Sequence, residues 1–125
     1  MTISSDPLTH DSLGIVRLPA EVDLATAQEV RDSLLSTVNR GGIHLVVDAT
    51  DVTFIDSTGV NALIRARERA ELLGGSVHVA SDASSVRRVL EVTQLSRVLH
   101  LVPTMEQALE CISDPDHMHR CDDGA

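Results

Sequence analysis

Val52-Thr53-Phe54-Ile55-Asp56-Ser57-Thr58-Gly59 is the stretch on which the reading of this chain turns. An apolar run delivers an Asp-Ser-Thr-Gly turn. Apolar residues then recur at Val60, Leu63, Ile64, Ala70 and Leu73, the spacing of an amphipathic helix. The pattern predicts a helix over about 58–73, stopped by Gly74-Gly75, with Arg67 and Glu71 paired one turn apart. A serine opening a helix reads first as an N-cap whose hydroxyl accepts from a free backbone N–H, worth roughly 1 kcal/mol. An acid beside it, Asp56, is favoured by the helix dipole. The same geometry suits a modification or docking site. Gly59 is unexpected in a first turn, since glycine costs about 1 kcal/mol inside a helix. It would let another backbone approach, or clear space around the hydroxyl.

Outward from this stretch the chain alternates. Gly14–Leu18 reads as a strand ended by Pro19, and Asp23 as the N-cap of a helix with an inward stripe of Leu24, Ala27, Val30, Leu34 and Val38. Gly41-Gly42 ends that helix. Ile43–Val47 is a nearly all-apolar strand, as one covered on both faces should be. Asp48–Thr53 reads as a turn-rich link, with Phe54-Ile55 continuing the apolar run. Ser76–Ala80 is a third strand. Asp82 or Ser84 would cap a short helix through Val86, Val89 and Leu90. Val98–Val102 is a fourth strand, and Thr104 with Gln107 makes a capping box for a last helix to about Ile112.

Strand-helix alternation of this kind argues an α/β fold, a mixed, mostly parallel sheet of four to five strands packed with about four helices. Residues 1–13 form an N-terminal segment with room for a short edge strand, 14–112 the domain, and 113–125 a polar, flexible tail. Right-handed crossovers make the strands at 14–18 and 43–47 parallel, so Asp23, Asp56 and Ser57 should share the edge where open α/β sheets meet ligands and partners.

Composition removes several functions. The 125 residues suit one domain, and one Phe with no Tyr or Trp means an aliphatic core. The net charge is -9, from 19 acidic and 10 basic residues, and every basic residue is Arg. An acidic chain without a basic stripe or stacking aromatics is a poor partner for nucleic acid. Without lysine there is no Schiff-base or P-loop chemistry, and a phospho-aspartate receiver loses its essential lysine. No G-x-S-x-G elbow is present, and His44, His78 and His100 fall inside strands, where they make poor bases for Ser57. Neither dinucleotide loop nor phosphate loop occurs, so no cofactor is expected. Cys111, His117, His119 and Cys121 have the ligand types for zinc but no paired spacing, and no metal is expected. The N-terminus lacks a basic start and an apolar run, and no stretch approaches membrane-spanning length. The expectation is a cytoplasmic protein that is not an enzyme.

Three segments carry a family resemblance. Ile15–Ala27 resembles the opening of a STAS domain, Val46–Val60 its central motif, and Val86–Leu95 its third helix. Together they span roughly 14–110, and the chain is most similar to the anti-sigma-factor antagonists. The resemblance implies a small STAS protein that binds an anti-sigma factor with serine kinase activity and so releases a sigma factor. It implies phosphorylation of the STAS serine by that kinase, weakening of the complex, and reset by a phosphatase. The family phosphoacceptor falls on Ser57, with Asp56, Asp23, Thr58 and Gly59 in the partner-binding surface. The family usually has glycine where Ala20 and Gln94 stand. Two other readings stay open: a STAS accessory subunit of a transporter or stress complex, and a small-molecule or nucleotide sensor.

Overall fold

Leu45, Val46 and Val47 can run consecutively apolar because they form the middle of the central strand, with no solvent on either face. The computed structural model describes residues 12–113. In chain order the elements are β1 (Leu13–Arg17), β2 (Glu21–Val22), α1 (Leu24–Asn39), β3 (His44–Asp48), β4 (Phe54–Ile55), α2 (Ser57–Leu72), β5 (Ser76–Ala80), α3 (Ser84–Val92) and α4 (Met105–Ser113). β1, β3 and β5 form a three-stranded sheet in that order, all parallel, with Leu13 opposite His44 and His44 opposite Ser76. The strand alternation splits the core in two. Leu45, Val47, Val77 and Val79 join Val30, Leu34 and Val38 of α1 and Leu63, Ala66 and Ala70 of α2. Leu13, Val46 and Ala80 face the other way, with Ala108 and Cys111 of α4.

Three helices end alike. In α1, Gly41 N donates to Val38 O and Gly42 N to Thr37 O, both at 3.0 Å. In α2, Gly74 N donates to Glu71 O at 3.0 Å and Gly75 N to Ala70 O at 2.7 Å. In α3, Gln94 N donates to Glu91 O at 3.0 Å and Leu95 N to Leu90 O at 2.7 Å. This is the Schellman pattern, which needs a left-handed residue after the cap. Gly41 (φ 112°) and Gly74 (φ 86°) supply it without cost, whereas in α3 the position holds Gln94 at φ 63°.

The structure departs from the sequence reading in several places. Phe54-Ile55 does not extend β3. It pairs with β2, an unpredicted two-residue strand, as a separate parallel ribbon. The expected fourth strand is a turn over 96–100: Leu99 N donates to Leu95 O, Leu101 N to Ser96 O, and His100 sits at φ 48°. Only an isolated parallel bridge, Ala80 with Val102, remains of it. The N-cap of α3 is Ala83, with no side-chain cap bond, rather than Asp82 or Ser84. In α4 the Thr104 hydroxyl does accept from Gln107 N at 3.1 Å. Leu24 and Leu73, assigned to inward stripes, are 79% and 43% exposed. Of the N-terminal segment 1–13 and the tail 113–125, only the ends are described: Leu13 already belongs to β1 and Ser113 still to α4, and residues 1–11 and 114–125 lie outside the described residues. No helix among those described is long and apolar enough to cross a membrane.

Candidate functional site

The β2–β4 ribbon builds the site. Its register sets Glu21 opposite Phe54 and Val22 opposite Ile55, and Asp56 N continues the ladder by donating to Val22 O at 3.1 Å. Each strand therefore delivers an aspartate, and each aspartate starts a helix. Asp23 caps α1: its Oδ1 accepts from Ala25 N at 3.0 Å while the Thr26 hydroxyl accepts from Asp23 N at 3.0 Å. Asp56 caps α2: its Oδ1 accepts from Thr58 N at 2.9 Å, from Gly59 N at 3.2 Å and from the Thr58 hydroxyl. Two helix N-termini thus stand side by side, as the shared-edge expectation required.

Ser57 is not the cap. An N-cap needs an extended, non-helical backbone. Asp56 already has one (φ -112°, ψ -171°), being the last residue the ladder holds. Ser57 is pushed one place on, to the first helical position, where it is exposed and its hydroxyl has no hydrogen-bond partner among the described residues. Thr58 is half-buried, with its hydroxyl spent on Asp56. That hydroxyl, aided by the backbone N–H groups of Gly59 and Thr58, holds the Asp56 carboxyl below the ordinary carboxylate range despite some desolvation. The residue beside Ser57 is therefore an anion at neutral pH.

Gly59 is buried. A Cβ there would lie 2.5 Å from Val22 Cγ1 and 2.8 Å from Ile55 Cγ1. Of the two reasons offered for this glycine, close approach is the one the packing supplies: the ribbon lies directly on the first turn of α2.

Two exposed apolar residues at this edge escaped the sequence reading. Leu24 follows its cap directly as the first residue of α1 and is 79% exposed. At 100° per residue it sits well off the mean direction of Val30, Leu34 and Val38, and that phase was the available signal. Phe54 is 49% exposed, because Ile55 takes the inward position of a two-residue strand. It lines an open groove of about 1030 Å³ between β4 and α3. Ala20, where glycine was expected, lies outside the left-handed region, and its carbonyl takes Thr53 N at 2.7 Å and the Thr53 hydroxyl at 3.2 Å.

The three histidines among the described residues are elsewhere. His44 opens β3, His78 lies within β5 and His100 in the 96–100 turn, so none accompanies Ser57 at the strand ends. Among the described residues no group of three or more His, Cys, Asp or Glu side chains could hold a metal. Cys111 is buried on the inward side of α4. His117, His119 and Cys121 lie outside the described residues.

A fold of this shape is found in known proteins. A crystal structure of an anti-sigma factor antagonist from Mycobacterium paratuberculosis superposes with a TM-score of 0.74 at 27% identity, covering 84% of this chain and 89% of that one. The anti-sigma-F factor antagonist RsfB of Mycobacterium tuberculosis is 28% identical over 102 residues, 80% of this chain and 81% of that protein. A sulfate transporter family protein from Wolinella succinogenes shares the fold at 15% identity, with a TM-score of 0.70 over 87% of this chain and 93% of that one. A sequence model of the STAS domain matches residues 5–108. With that match running from before β1 into α4, the chain belongs to the STAS domain family.

Proposed function

We propose that this protein is a cytoplasmic anti-sigma-factor antagonist. It binds an anti-sigma factor with serine kinase activity through the Asp23–Asp56–Ser57 edge, releases a sigma factor, and is switched off by phosphorylation of Ser57. A phosphatase resets it. The observation that carries this reading is the state of Ser57: first residue of α2, exposed, its hydroxyl unengaged, beside an ionised Asp56. The similarity to two mycobacterial anti-sigma factor antagonists supports the choice of partner.

The switch follows from charge. An unmodified serine is small and neutral and can be covered by a partner. A phosphate adds about -1.5 to -2 charges at the same point. The N-terminus of α2 offsets part of this within the chain, so no refolding is needed. It does nothing for an apolar or acidic partner surface, where the phosphate would join Asp56 and Asp23 in repulsion. Thr58 is the poorer acceptor, because its hydroxyl already donates to Asp56.

The tests are direct. Ser57→Asp should weaken binding to the cognate anti-sigma factor by about tenfold or more, equivalent to about 1.4 kcal/mol. Undiminished affinity would sink the switch. Incubation with that kinase and ATP should add one phosphate by intact mass, kept in Thr58→Val and absent in Ser57→Ala.

A further inference from the structure

Val77, Val79 and Ser81 turn backbone groups toward the side of β5 away from β3, and among the described residues no strand covers that side. Residues 99–102 cover it instead. Val79 N donates to Leu99 O at 3.0 Å, Val102 N to Val79 O at 2.9 Å and Ser81 N to Val102 O at 2.9 Å. The next group along, Val77 O, is taken by a side chain: His100 Nδ1 lies 3.0 Å from it. A carbonyl only accepts, so this nitrogen carries the hydrogen. The imidazole thus fills the place of a ladder bond. The segment reaches this edge through Gln94 and His100, the two non-glycine residues with positive φ among those described, so its closed form carries a backbone cost at two points.

What His100 covers is His78. The two rings stack with centroids 4.5 Å apart and planes at 23°. His78 is fully buried, on the side of β5 that also carries Ala80 and meets α4. Its Nε2 lies 2.8 Å from Ser76 Oγ, and its Nδ1 has no hydrogen-bond partner among the described residues. No counter-charge faces it among those residues. On β3, His44 and Asp48 flank Val46, the residue opposite His78, and the Asp48 carboxylate is engaged by Thr50 N and the Thr50 hydroxyl. α4 presents Ala108 and Cys111, while its Glu106 and Glu110 are exposed, as is Arg97 in the turn. Beside desolvation, the groups that act on His78 are His100 and His44, and both oppose a proton there. A proton on His78 would meet a second imidazole on one face and no acceptor at Nδ1.

We propose that residues 96–102 form an acid-released strap, pinned by the His100 ring on Val77 O and on His78, which lifts from the edge of β5 when His78 takes up a proton. Lifting gives the imidazolium water and separates the two rings. It leaves the rest of the sheet in place, because β3 pairs with the opposite edge of β5. The device is independent of the Ser57 reading. In the closed form His78 is neutral, its pKa pushed down to about 3 by desolvation, and in the open form it returns to the ordinary 6.5. The closed form is therefore fully favoured above about pH 6.5 and loses ground as pH falls. The opening equilibrium rises about 30-fold between about pH 7.5 and pH 5.

The experiment is hydrogen exchange of single amides in the full chain, followed by NMR with urea at low, non-denaturing concentrations. Between about pH 7.5 and pH 5, with intrinsic rates divided out, protection of Val79, Ser81 and Val102 should fall about 30-fold. Those amides should exchange with little dependence on urea, as a small opening does. Val46 in the central strand should stay better protected and depend steeply on urea. His78→Leu should cut the fall at the strap to about threefold or less. His100→Asn keeps a residue that tolerates the left-handed region and removes the stack. It should lower strap protection about tenfold already at pH 7.5 and flatten its fall with acid, and it carries the test if His78→Leu does not fold. Equal protection and equal urea dependence at the strap and at Val46 would mean that acid acts only through global unfolding, and overturns the strap. So does an undiminished pH dependence in His78→Leu, or wild-type strap protection in His100→Asn.

Discussion

Asp56 and Ser57 trade the roles that their order in the sequence suggests. Aspartate and serine cap helices about equally well, so composition alone could not choose between adjacent candidates. The choice was made by a tertiary bond, Asp56 N to Val22 O, which holds Asp56 extended and lets the helix begin at Ser57. Removing each side chain separates the two assignments. Asp56→Ala should lower the melting temperature by roughly 5 °C, because Thr58 N and Gly59 N lose their acceptor. Ser57→Ala should change it by no more than about 2 °C. The reverse order in thermal unfolding would restore Ser57 as the cap. The sequence did locate Asp23, Asp56 and Ser57 on one edge, since right-handed crossovers fix which strand ends coincide. The exposure of Leu24 and Phe54 was illegible, because Leu24 was assigned to the inward stripe beside it and Phe54 to the apolar run it continues.

At the level of elements, the helices with regular stripes were foreseen and the shortest and most irregular pieces were not. β2 has two residues after a proline, too few to show any period. Val98–Val102 looked like a strand because it is apolar, but α3 ends in a Schellman turn that feeds directly into a second turn. Gln94 is the costly residue there. A side chain in the left-handed region loses about 1 kcal/mol or more that glycine does not, as the equivalent Gly41 and Gly74 illustrate. Gln94→Gly should therefore stabilise the domain by about 0.5–1 kcal/mol in urea unfolding, after allowing for glycine's greater freedom in the unfolded chain. A destabilisation would mean that the Gln94 side chain makes up for its backbone.

For the whole molecule, the alternation of strand and helix and the two-faced β3 were readable because each rests on periodicity over many residues. A polar row crossing the sheet was not. The Ser76 hydroxyl lies 3.0 Å from His44 Nδ1 and 2.8 Å from His78 Nε2, and the His78 ring stacks on His100 with centroids 4.5 Å apart. His78 is fully buried, and its Nδ1 has no hydrogen-bond partner among the described residues. Desolvation, with smaller contributions from His100 and His44, pushes its pKa down to about 3 from 6.5. The folded chain thus keeps His78 neutral while the unfolded chain protonates it below 6.5. Stability from this residue is complete above about pH 6.5 and drains away as pH falls toward about 3, by up to roughly 4 kcal/mol. In urea titrations between pH 7 and 4, His78→Leu should show a shallower loss of stability than wild type. Parallel slopes would remove His78 as the cause. Phe54 gives the molecule a last property. It is the sole Phe, Tyr or Trp in the chain, and it lines the groove between β4 and α3. The protein consequently lacks the near-ultraviolet absorbance of tyrosine and tryptophan, and a tryptophan substituted at 54 would be its only aromatic fluorophore, an optical probe of that groove free of background emission from the chain.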